Sequence, residues 1–319
     1  MTQSQFETTS GFGTQRSPIE KTLDKGFRWL TLIFAISIAV ILVSIAFIIA
    51  QGGWPAIVEY NIGFFGNSNW NPVTEEYGVL AVIYGTLLSS FIALVIAIPL
   101  GLGAAVFLSE DFLPEGVRTV LVFLVELLAA IPSVVYGLWG IFVLIPLTKT
   151  FGTWLNGNFG WIPIFGTEPA GPGMLPAGIV LAIMILPIII AISRDSLSSL
   201  PPDLRQASLG LGATRWETIF RVLIPAAISG IVGGTMLALG RAMGETMAAT
   251  MIIGNSNRLS LSILDPANTI ASLIANQFAE ADGLQISALM YAGLVLMVLT
   301  LIVNILAELI VNQVKAKYE

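Results

Sequence analysis

Six long apolar stretches alternate with shorter polar segments along the chain, over residues 27–50, 78–108, 117–147, 176–192, 225–254 and 286–311. As a helix, about 20 residues cross a hydrocarbon layer of about 30 Å, so each stretch can span a bilayer. The second, third and fifth are longer than that and have room to tilt, kink or project. Pro99 and Pro132 are the expected kink points, because proline removes a backbone donor. The apolar residues run in blocks without strand-like alternation, which speaks against a membrane β-barrel. The pattern predicts an all-α, polytopic membrane protein with about six transmembrane helices. Residues 1–26 read as a polar, mobile tail that lacks the short apolar core of a secretory signal. Residues 27–76 read as the first span and an outer loop, 77–311 as a core of five spans with short connections, and 312–319 as a second tail.

Composition supports this and narrows the chemistry. Hydrophobic residues make up 55% of the 319 positions and charged residues 11%, where a soluble domain carries about a quarter charged. With no Cys and no His, the chain has no thiol nucleophile, no Cys/His zinc site and no imidazole acid–base group. Nothing points to nucleic acid. With the N-terminus inside, 11 of the 14 Lys and Arg residues fall on the inner side and only Lys149 and Arg258 outside, while Arg241 lies within a span. That bias predicts both termini in the cytoplasm. The outer segments carry Trp54, Phe64, Phe65 and Trp70, then Phe151, Trp154, Phe159, Trp161 and Phe165. They fit interfacial anchoring, contact with membrane lipid, or a docking surface for an outer partner.

The loop between the fourth and fifth stretches, residues 199–224, reads SLPPDLRQASLGLGATRWETIFRVLI. Pro201 and Pro202 stop the preceding helix. Asp203 is placed to cap a new one, and Leu204, Ala207, Ser208 and Leu211 fall on one small apolar face. Gly210 and Gly212 break it, and Thr214 with Glu217 forms a capping box for a second short helix. An apolar face on a short inner helix wants either a partner or the lipid headgroups.

In the fifth stretch, Arg241 and Glu245 stand four apart, which on a continuous helix puts them on one face. Arg241 is 16 residues past Pro225, about 24 Å along a helix, where a charge costs roughly 2.5–3.5 kcal/mol on insertion scales. The pair therefore faces protein interior or water, as a structural salt bridge or as a substrate or gating site. Gly234, Ala238, Ala248 and Ala249 are expected to leave space beside it, and Gly240 with Gly244 to admit another helix. A guanidinium offers a planar fork of donors suited to a tetrahedral oxyanion. Glu245 would soften the attraction and accept a proton-mediated bond from an oxyanion that still carries a proton. Further path-lining candidates are Glu126, Ser133, Tyr84, Thr86, Ser89 and Ser90, although Ser and Thr often bond back to their own helix. Glu308 reads as solvated or interfacial.

The inner loop resembles the signature of the permeases of bacterial ATP-binding-cassette importers: Gln206, Ala207 and Ser208 occupy its Glu-Ala-Ala positions, Gly212 its glycine, and Ile224 with Pro225 its close. Gln206 and Ser208 depart from the usual Glu and Ala, so a salt bridge made by that Glu is lost. The stretches ALGRAMGETMAA (238–249) and AAIPSVVYGLWG (129–140) resemble the phosphate-specific branch of those permeases. The resemblance implies the type I importer permease fold in the bacterial plasma (inner) membrane. It also implies a coupling helix in which Asp203, Leu204, Arg205, Gln206, Ala207, Ser208, Leu211 and Gly212 meet an ATPase, and phosphate passage at Arg241 and Glu245. The implied partners are a homologous second permease, a dimeric cytoplasmic ATPase and an extracytoplasmic phosphate-binding protein. The chain has no G-x-x-x-x-G-K-[ST] phosphate loop, so it is expected to bind no cofactor, with ATP and Mg used by the partner ATPase. A permease for sulfate, molybdate or another oxyanion is the alternative. A secondary transporter would predict an internal repeat, and a membrane enzyme would need a nucleophile–base pair.

Overall fold

A computed structural model describes the backbone of residues 18–315 and the side chains of residues 23–309. The chain divides into two compact units, residues 1–48 and 49–319. The described part of the first is one uninterrupted apolar helix, the body of α1 (Pro18–Tyr60). Residues 1–17 of the expected tail lie outside the described residues, while 18–26 already belong to α1. Six helices are long and apolar enough to cross a membrane: Leu23–Tyr60, Leu80–Ser109, Ser133–Phe159, Met174–Ser198, Arg215–Met243 and Gly283–Leu309.

In the second unit, α1 runs on to Tyr60, where the sequence predicts a loop from residue 52. The glycines there serve packing, not a turn: a Cβ on Gly53 would stand 3.1 Å from the Tyr291 backbone nitrogen. A short helix α2 (Gly63–Gly66) and a hairpin of β1 (Trp70–Asn71) with β2 (Glu76–Tyr77) follow. They fold over an aromatic cluster in which Phe64 stacks on Tyr291 at 4.2 Å between centroids. The Trp70 indole donates to Gln277 at 2.7 Å. Phe64 and Trp70 are thus buried core residues, while Trp54 and Phe65 remain exposed.

The centre of the unit is the pair α3 (Leu80–Ser109) and α7 (Met174–Ser198). On α3, Ala81, Gly85, Ser89, Ala93, Ala97, Gly101 and Ala105 repeat every four residues, and all are buried. Side chains four apart share a helix face, so this row is a smooth groove along α3. The buried Leu181, Ile185 and Ile189 of α7 pack against it. Between lipid-exposed helices such close apposition is gained through van der Waals contact and not through exclusion of water. Pro99 sits inside α3 without ending it.

The third apolar stretch is not one helix. α4 (Glu115–Ala129) stops, residues 130–132 break the chain, and α5 (Ser133–Trp139) restarts after Pro132. A widened turn over Gly140–Leu144 then leads into α6 (Ile145–Phe159), which is helical where an outer loop is expected from residue 148. The same widening recurs over Ile219–Leu223, between α9 (Arg215–Thr218) and α10 (Ile224–Met243). Both turns run into the tetrapeptide Val-Leu-Ile-Pro, at 143–146 and 222–225, and end on its leucine. The Ile145 and Ile224 N–H groups reach back five residues, to Gly140 and Ile219. Proline lacks an N–H, and its ring clashes with the carbonyl four residues earlier. One extra residue in the turn moves that carbonyl aside, so the helix passes through the proline.

The fifth stretch also breaks. α10 ends at Met243 and α11 (Met247–Ile252) begins after Thr246. An irregular segment then leads to α12 (Ile270–Gln277), which Thr269 caps by accepting from the Ser272 N–H, and to α13 (Gly283–Lys315). This segment is held against α3: a Cβ on Gly85 would stand 2.0 Å from the Asn268 carbonyl oxygen. Gly85→Ala is therefore expected to lower the thermal midpoint of the purified protein in detergent, since overpacking of a tight contact costs about 1–3 kcal/mol. An unshifted melt would show that the segment is not held there.

Candidate functional site

Arg241 stands in the last turn of α10 and Glu245 in the break after it. The continuous-helix expectation is therefore corrected: the two do not share a helical face, and among the described side chains no ion pair joins them. Gly244 ends the helix, with its N–H on the Gly240 carbonyl. The Glu245 carboxylate turns to the restarting helix and accepts from the Ala248 N–H at 3.2 Å. Each charge has a local reason for its place. The carbonyls that end α10 favour a cation, and the opening turn of α11 needs an acceptor for its free N–H groups.

Both side chains line a groove of about 1070 Å³ between α7, α10 and α13, with Ser229, Gly233, Asn304 and Glu308 farther along it. The groove follows α10 from Ser229 to its end at Met243, fourteen residues or about 21 Å. Glu308, read from sequence as interfacial, lines the same groove as Arg241, and Asn304 was given no role by pattern alone. Their spacing of four on α13, the last polar side chains before its described end, is the signal that would have found them.

The small residues of α10 divide differently from expectation. Gly234 and Ala238 are buried against α7, where a Cβ on Gly234 would meet Ile192 at 2.9 Å. Gly240 has open space where a side chain would be, as does Gly233. Helix contact thus uses Gly230 and Gly234, and the open side belongs to the groove.

The break is supported from behind by α5. A Cβ on Gly137 would stand 2.5 Å from Met251, and one on Gly140 would stand 2.3 Å from Ile252, so α11 lies directly against these glycines. Tyr136 donates to the Leu128 carbonyl at 2.9 Å, bridging the interruption at Pro132. Two interrupted helices therefore meet at this break. Irregular backbone at membrane depth persists only where protein buries it or water reaches it; here protein packs on one side of the break and the groove opens on the other.

The remaining path candidates are not brought to Arg241. Glu126 is exposed on α4 with no described ion-pair partner, and Ser133 opens α5. Thr86 donates to the Val82 carbonyl and accepts from the Ile270 N–H, so it fastens α12 to α3. Ser89 bonds back to Thr86. Tyr84 and Ser90 line a separate apolar cavity of about 410 Å³ beside Leu239 and Met243.

The loop forms α8 (Pro202–Gly210) and α9. Pro202 takes the first helical position, so Asp203 lies within the first turn and not at the cap. Gly212 adopts a positive φ of 87°, a conformation that suits glycine. The capping box is present: Thr214 accepts from the Glu217 N–H, and Glu217 accepts from the Thr214 N–H at 2.9 Å. No residue of α8 is buried, and Leu204, Ala207, Gln206 and Leu211 are exposed. Arg205 and Ser208 turn inward.

The family model described as binding-protein-dependent transport system inner membrane component matches residues 97–316. Among curated relatives, a protein of Pasteurella multocida named phosphate transport system permease protein PstC is 43% identical over 91% of this chain and 92% of its own length. One of Mesorhizobium japonicum with the same name is 44% identical over 92% and 91%. A probable phosphate permease of Methanocaldococcus jannaschii is 38% identical over 84% and 89%. Among solved structures, a bacterial alginate ABC transporter matches at a TM-score of 0.61 and 15% identity, over 92% of this chain and 97% of that one. The MetNI methionine transporter in an inward-facing conformation matches at 0.51 and 20%, over 74% and 94%. At such identities these two show the fold alone.

The groove gives a direct test of hydration. Because the chain has no Cys, single cysteines report without background. Gly233→Cys and Asn304→Cys are expected to react with a membrane-impermeant maleimide in open vesicles, whereas Gly234→Cys and Ala238→Cys are not. Equal labelling of all four would refute a one-sided aqueous groove.

Proposed function

The chain belongs to the family of binding-protein-dependent transport system inner membrane components, and we propose that it is the permease subunit that carries inorganic phosphate through an ATP-driven importer. The observation that carries this reading is Arg241: a guanidinium with no ion-pair partner among the described side chains, at the break of a membrane helix and opening into a groove. A fixed planar donor fork suits a tetrahedral oxyanion, and charge-assisted bonds are the strong ones. The relatives named as phosphate permeases, at 38–44% identity, support phosphate over other oxyanions.

In this reading Arg241 receives the anion. Glu245, held to the start of α11 by Ala248, lowers the net charge, so that binding does not become a trap. A singly or doubly protonated phosphate keeps an O–H that a carboxylate can accept, whereas fully ionised sulfate has none. The groove is half of a path, and a homologous permease closes its open side. The α8 end faces the cytoplasm, with both termini, as the bias in Lys and Arg supports. Exposed Leu204, Ala207 and Leu211 then meet a dimeric ATPase, and a phosphate-binding protein delivers from the opposite side. ATP and Mg act on the ATPase, and this chain performs no bond chemistry.

Arg241→Ala should leave the complex assembled and reduce phosphate uptake by about 10- to 150-fold, the equivalent of losing hydrogen bonds to a charged group at about 1.5–3 kcal/mol. Normal uptake in proteoliposomes by that variant would overturn the assignment. Deletion of residues 204–211 should release the ATPase from the purified complex, so an unchanged co-purification profile would refute the docking role of α8.

A further inference from the structure

Glu110 follows directly on α3, and its side chain is 9% exposed. A carboxylate so buried needs a cation and donors around it. Both come from α8: Arg205 donates through Nε at 3.1 Å and through Nη2 at 2.9 Å to the same Glu110 oxygen. The same guanidinium donates to the Leu197 carbonyl at 2.9 Å and to the Leu200 carbonyl at 3.4 Å, at the end of α7. One side chain of α8 therefore grips the ends of both helices of the central pair.

A second tie leaves α8 one turn later in another direction. The Ser208 hydroxyl meets the Thr218 hydroxyl at 2.9 Å. Thr218 is buried, lies on α9, and is continuous through the widened turn with α10, which carries Arg241 in its last turn. The backbone between Ser208 and Thr218 leaves α8 after Gly210 and turns at Gly212, and neither glycine has a neighbour within 4 Å of a built Cβ. A compliant joint thus lies inside the loop that the Ser208–Thr218 contact closes.

We propose that α8 is a lever with Glu110 and Arg205 as its fixed pivot and the Ser208–Thr218 contact as its output. The Arg205 grip holds the lever to α3 and α7 while its far end moves α9 and α10. Displacement of the exposed face of α8 then becomes displacement of Arg241 relative to α7, across the groove that those helices line. Without the pivot, α8 would follow its driver while α10 stayed in place. Glu110 and Arg205 are positioning residues: neither lies in the groove. The inference rests on the permease reading, since it takes an ATPase as the driver.

The test uses the complete complex with its binding protein in proteoliposomes, and reads ATPase activity with and without the loaded binding protein. Glu110→Gln and Arg205→Lys should each assemble normally, yet lower the stimulated-to-basal ratio by at least about fivefold, within the usual range of coupling between sites. The exchanged pair E110R/R205E should recover at least half of the ratio, which a loss of fold would not do. A wild-type ratio in both single variants would overturn the pivot, and so would a double exchange no better than the singles. Should one single variant fail to assemble, the other decides by the same ratio. A wild-type complex that responds to its binding protein but takes up no phosphate would sink the substrate reading alone. The ratio reports the lever in either case.

Discussion

A backbone that leaves its helix inside a membrane must find hydrogen-bond partners or water, and the rest of this structure follows from that requirement at residues 244–246. The interruption leaves free carbonyls at the end of α10 and free N–H groups at the start of α11. A cation at the first and a carboxylate at the second answer both needs, through Arg241 and Glu245. A groove opens on one side, and on the other α5 and the widened turn after it pack against the restart through Gly137 and Gly140. Stability and proposed function thus draw on the same charges. The guanidinium that suits the helix end is also the group offered to an anion.

Around this point, rigid and adaptable regions are sharply divided. The period-four row of small residues on α3 makes its contact with α7 close, and few rearrangements are open to it. α10 crosses α7 on Gly230 and Gly234, a narrower seam, and its other side is open. If anything moves against the central pair, it is α10 with its broken tip. The loop that feeds α10 is tied to both sides of that divide, by Arg205 to α3 and α7 and by Ser208 to α9.

Much of this was legible in the sequence, in proportion to how local its cause is. The spans followed from hydropathy and length, and the Thr214–Glu217 box from four residues of chain. The membrane charge at Arg241 was visible because such a charge is costly. The break beside it was not, since ALGRAMGETMAA is mostly strong helix formers, and its two glycines, Gly240 within α10 and Gly244 at its end, look alike in sequence. The row of small residues from Ala81 to Ala105 was present but was masked by large apolar neighbours, which hydropathy weights more. Glu110 and Arg205 are 95 positions apart, and no local rule joins them. Thr86 and Ser89 had the right chemistry for a path, but one fastens α12 and both bond to their own helix.

The twin Val-Leu-Ile-Pro turns carry a consequence for the history of such chains. Each widened turn is in effect a one-residue insertion accommodated within a helix, and in an α-helix one residue corresponds to about 100° of rotation. Removing a residue at 219–223 would restore regular pitch and yet swing everything downstream through more than a quarter circle. Arg241, eighteen residues on from Leu223, would then point away from its groove. The aim of the charge is set by a count made far upstream of it. Length along that stretch should consequently be held more tightly than amino-acid identity, with substitutions tolerated where single-residue gaps are not.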